Sequence, residues 1–155
     1  MKSEGKLPLV YSCSGASSAA QMANHIAVRL DRLQVAEMSC IAGVGGDVKP
    51  LVRTAKSGRP IIALDGCPLQ CAAKILKRHG LHADKHYDLS KMGVKKKQHE
   101  DFAPAQAAQM LQQIVKELSH AVTPASPTLL APEATEDEPP EPSSPTCYLN
   151  EFKDW

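Results

Sequence analysis

Four cysteines in the first half of the chain, Cys13, Cys40, Cys67 and Cys71, are the residues best suited to chemistry. Cys67 and Cys71 stand four apart in Leu64-Asp65-Gly66-Cys67-Pro68-Leu69-Gln70-Cys71-Ala72, directly after the apolar run Pro60 to Leu64. Thiolates are the preferred soft donors for zinc, and four of them complete its tetrahedral shell. The N-terminus shows no apolar stretch long enough for a signal-peptide core or a membrane span. The chain therefore reads as soluble and cytoplasmic, where paired cysteines point to metal or redox chemistry rather than a structural disulfide.

The elements that must position these thiols alternate strand and helix. Leu7 to Tyr11 forms a first strand, followed by the small-residue turn Ser12 to Ser18. A helix runs from about Ser18 to Gln34, with Ala19, Met22, Ala23, Ile26, Leu30 and Leu33 on one face. A weaker strand covers Val35 to Ala42. Gly43-Val44-Gly45-Gly46 reads as a turn, with Asp47 capping a helix from Val48 to about Lys56. The third unit is a strand over 60–64, the Asp65-Gly66 turn, and a helix from Pro68 to His79 stopped by Gly80. A fourth strand falls near Lys85 to Leu89, and a last helix runs from about Pro104 to Ala121.

This alternation predicts an α/β fold: a small doubly wound, mainly parallel sheet of about four strands with helices on both faces. Cys13, Cys40 and Cys67 then sit at or just after strand ends, and Cys71 lies one turn into the following helix. In a parallel sheet these ends share one edge, the edge where ligands collect. If strand 1 lies between strands 2 and 3, the four sulfurs can converge.

Composition divides the chain in two. Residues 1–122 carry 17 Lys and Arg against 10 Asp and Glu (+7), and residues 123–155 carry 1 against 7 (−6). Seven of the twelve prolines fall within 123–145, a stretch too polar to hold a core, so 123–155 is expected to be a flexible acidic tail. It ends with three of the six aromatic residues, in Cys147 to Trp155. That end could present a short motif to a protein partner or dock on the basic domain.

The motif Asp65-Gly66-Cys67-Pro68-Leu69-Gln70-Cys71-Ala72 resembles the signature of the DGC domain family. The similarity spans roughly residues 7–120, including Tyr11-Ser12-Cys13-Ser14-Gly15, Cys40 before the glycines, and the stretch from His86 to Lys96. The family is described as zinc-binding on the strength of four chelating cysteines, and Cys13, Cys40, Cys67 and Cys71 are their counterparts. The resemblance implies a metal site and not a settled activity. Its role would be structural, metal-handling or sensing.

Two other readings of the same thiols stay open. One is a thiol redox enzyme with Cys67 as nucleophile and Cys71 as resolving partner, although C-x3-C is not the usual redox spacing. The other is an iron–sulfur protein. His79 and His82 read as solvated, and His86 is retained as a group supporting the thiols. Gly43 to Gly46 lacks a nucleotide-loop pattern. Lys91 and Lys95 to Lys97 read as solvated charge, so nucleic acid is not an expected partner, and without an apolar span neither is a membrane. Cys147 reads as a spectator, and Ser14, Ser17 and Ser18 as helix caps.

Overall fold

The computed structural model describes residues 6–120. The expected tail over 123–155, and the domain boundary before it, lie outside the described residues. Four parallel strands form one sheet in the order β2-β1-β3-β4. β1 (Leu9–Ser12) and β3 (Ile61–Asp65) are central and buried along their whole lengths, which is why they read as unbroken apolar runs. β2 (Glu37–Met38) and β4 (Lys85–Asp88) are the edges. Strand 1 thus lies between strands 2 and 3, as the doubly wound reading requires.

Strand alternation sends Leu9, Tyr11, Ile61 and Ala63 to one core and Val10, Ile62 and Leu64 to the other. Helix α1 (Ser18–Arg32) packs with α5 (Pro104–His120) over the second set. α2 (Ile41–Gly45), α3 (Lys49–Ala55) and α4 (Cys71–Arg78) cover the first. Ser17 caps α1 by accepting from the Ala20 N–H. The stop of α4 is a Schellman turn: Gly80 N–H donates to Lys77 O and Leu81 N–H to Leu76 O, with Gly80 at φ +72°. Arg59, itself buried, joins the strand starts by donating to the Leu7 carbonyl and to Glu37.

Three local expectations are corrected. The second strand is only two residues long, because Ser39 N–H still donates to Val10 O but the chain then turns into α2. Gly43 to Gly45 belong to that short helix rather than to an open turn. Asp47 does not cap α3: Val48 stands at that position without a side-chain bond, and Asp47, at φ 60°, pairs with Arg78 instead.

Candidate functional site

The C-terminal edge of the sheet is organised by Asp65-Gly66-Cys67. Asp65 ends β3 almost fully buried, and its carboxylate reaches along the next helix rather than into its own turn. Oδ1 accepts from Ala72 N–H at 2.9 Å and Oδ2 from Ala73 N–H at 3.2 Å, so this strand residue caps the first turn of α4. Oδ2 also lies 2.9 Å from His86 Nε2 on β4. With the carboxylate fixed there, α4 starts at Cys71 instead of Pro68. Residues 67–70 make a turn closed by Gln70 N–H to Cys67 O, with Gln70 at φ 53°. Cys67 therefore precedes the helix, and the two thiols do not share a helical face.

Gly66 is dictated by proximity. A Cβ there would lie 2.5 Å from the backbone carbon and oxygen of Ala19, at the start of α1. That approach lets the Gly66 N–H donate to the Cys13 sulfur at 3.1 Å. Register agrees, since Ser12 pairs with Leu64 and Cys13 comes level with Asp65.

All four described cysteines are free thiols. Cys13 is buried, Cys67 half-buried, and Cys40 and Cys71 exposed. Burial pushes the Cys13 thiol up to about 11, the Gly66 N–H works against this, and charge on Asp65, Cys67 and Cys71 pushes it up further. Cys13, Cys67 and Cys71 thus share one neighbourhood. Cys40 stands apart at the start of α2, where its sulfur accepts from Gly43 N–H at 3.4 Å. It also lines a shallow pocket with Met38 and Arg32 at the β2 edge. Extending the β1–β2 register puts Cys40 level with Ser12, one residue short of Cys13.

The loop after Gly93 closes over this edge. Ser18 N–H donates to Lys97 O at 3.0 Å, and Lys97 N–H donates to Ser18 Oγ at 3.0 Å, stitching the loop to α1. Lys96 reaches Cys67, with Nζ 3.8 Å from the sulfur.

Comparison with known proteins matches the DGC domain model to residues 9–114. The chain belongs to the DGC domain family. Within the family it is 55% identical over 118 residues to the anaerobic and virulence modulator AnvM of Pseudomonas aeruginosa, covering 76% of this chain and 87% of that protein. No solved structure matches the chain.

In kind, the donors of this DGC domain fit zinc: four reduced thiols near one sheet edge, with amide donors already directed at two of the sulfurs. In placement, no group of three or more His, Cys, Asp or Glu side chains among the described residues is gathered closely enough to hold a metal ion. Among the described residues no helix is long and apolar enough to cross a membrane.

Several features escaped the sequence. Asp65 caps a helix seven residues on, whereas sequence rules for caps look two or three residues ahead. Lys96 read as solvated charge because nothing in a lysine run shows which member turns inward. His86 does support the edge, but through Asp65 and not through a sulfur.

Proposed function

We propose that this DGC domain binds zinc through Cys13, Cys40, Cys67 and Cys71 and that the site serves sensing. The observation that carries the reading is the common location: β1, β2 and β3 all deliver a cysteine to the same sheet edge, and α4 adds a fourth. Cys13 is the fixed member, held by Gly66, while Cys40 and Cys71 begin helices at the surface. Zinc supplies a full positive counter-charge that deprotonates coordinating thiols, which removes the obstacle burial sets at Cys13. Two donors at the surface suit a site that exchanges its metal, as a sensor must, better than a buried permanent staple. The relative's description as an anaerobic and virulence modulator supports a regulatory role.

Metal analysis of the protein purified without oxygen tests this reading. About one zinc per chain is expected, with a colourless solution; an iron–sulfur cluster would be brown. Replacing Cys67 by Ser should remove the metal and, with it, the stabilisation that a ligand of the folded state supplies.

Lys96 favours a second reading, thiol chemistry at Cys67 with Cys71 as partner. Its Nζ lies 3.8 Å from the Cys67 sulfur, within reach to donate to it or to a group bound there. Under that reading the protein carries little metal, and Cys67 and Cys71 cycle with dithiothreitol.

A further inference from the structure

Between α3 and the end of α4 lies a cleft of about 410 Å³, lined by Asp47, Lys49, Val52, Arg53 and His79 and by no cysteine. Lys49, Val52 and Arg53 stand at spacings of three and four on α3, so one face of that helix carries all three. The facing wall is fixed by the last residues of α4. His79 Nε2 donates to the Val44 carbonyl at 2.7 Å, and Arg78 donates to the Gly45 carbonyl at 3.3 Å and pairs with Asp47. These bonds tie the α2–α3 corner to α4, so the cleft has its shape before a ligand arrives.

The charges around it are unequally spent. Asp47 is answered by Arg78, and its other oxygen lies 3.5 Å from His79 Nε2. Lys49 and Arg53 have no ion-pair partner among the described residues. The His79 side chain is only 9% exposed, and with Nε2 committed to Val44 its Nδ1 is the nitrogen left for a ligand. Two free cations one turn apart, and a ring nitrogen from the other wall, call for an anion with several acceptor oxygens. A carboxylate offers two oxygens and one charge, which leaves one of these groups unused. A phosphate monoester offers three terminal oxygens and close to two charges near neutral pH. One proton, from the ring or from the phosphate, completes the contact at Nδ1. Val52, between Lys49 and Arg53 in the helix, supplies an apolar surface for the rest of the molecule.

We propose that this cleft binds a small phosphate ester, its oxygens on Lys49, Arg53 and His79 and its organic group on Val52. No cysteine takes part, so the site is independent of metal and of thiol oxidation state.

Calorimetric titration of the full-length protein as purified, at constant ionic strength, tests this with phenyl phosphate, inorganic phosphate and benzoate. Inorganic phosphate lacks the ring and benzoate lacks the phosphate. Phenyl phosphate should bind saturably, one per chain, and about tenfold tighter than either of the others. Lys49→Gln and Arg53→Gln each delete one charge-assisted bond and should each weaken phenyl phosphate about tenfold. Both side chains are exposed, so the thermal midpoints of these variants should match that of the parent. Lys77→Gln removes an exposed cation of α4 outside the cleft and should change the affinity by less than about twofold. That arm separates recognition from general attraction to a basic surface. Phenyl phosphate should also shift the ring resonances of His79 and leave those of His86 in place. Absence of saturable binding, equal affinity for phenyl phosphate and either other probe, an equal loss in Lys77→Gln, or unmoved His79 resonances would each overturn the proposal.

Discussion

At the scale of single residues, each letter of Asp-Gly-Cys has its own physical duty. Gly66 is set by contact: any Cβ meets the Ala19 backbone, which cannot move without moving α1. Gly66→Ala should therefore destabilise the fold by about 1–3 kcal/mol, the usual cost of overpacking. A thermal melt checks this, and an unchanged midpoint would mean that α1 and the loop separate freely. The thiols should also differ. With Cys13 buried and pushed up to about 11, iodoacetamide near neutral pH should label Cys40 and Cys71 first. Labelling of Cys13 should rise about tenfold per pH unit until that value is reached. The sign of the linkage follows. The unfolded thiol loses its proton near its model value of 9.0 and the folded one only near 11. The contribution of Cys13 to stability is then complete below pH 9 and lost as pH rises through 11.

At the scale of elements, α4 depends on the strand before it. Asp65 supplies the helix N-terminus with both oxygens and holds His86 as well. Asp65→Ala leaves the Ala72 and Ala73 N–H groups without a partner, and losing such a cap costs about 0.5–2 kcal/mol, with the burial of the site favouring the upper end. Asp65→Asn keeps one acceptor and should lie between. Denaturant unfolding with both variants tests the order, and equal losses would show that the carboxylate charge matters more than the bonds. The element scale also shows what could be read in advance. β1, β3 and α5 were legible because burial on both faces, or one apolar stripe, leaves a plain pattern. α2 was not, since a five-residue helix holding two glycines and capped by a thiol violates propensity and is held by tertiary contacts, Val44 being wholly buried. The start of α4 was misplaced for a similar reason. Pro68 suits a first turn locally, but the distant Asp65 cap and the left-handed Gln70 put the start at Cys71. The four candidate cysteines were legible as a set, but their separation was not. Side-chain exposure and the turn at 67–70 depend on packing that spacing does not encode.

At the scale of the whole molecule, the parallel sheet collects the chemistry on one edge. Strand order β2-β1-β3-β4 makes β1 the centre of the three strands that a cysteine follows, so Cys13 takes the central place at that edge. The same edge brings the Lys95 to Lys97 loop against α1 through Ser18, which places Lys96 beside Cys67. In the zinc reading metal binds the folded edge, so it should stabilise the domain as any ligand of the folded state does. Added zinc should then raise the melting temperature of chelator-treated protein, and Cys13→Ser should remove the rise. The measurement that bears most directly on this reading is the zinc content of the protein after gentle anaerobic purification. About one equivalent per chain, lost in Cys67→Ser, is the predicted result; under about a tenth of an equivalent of any metal would contradict it.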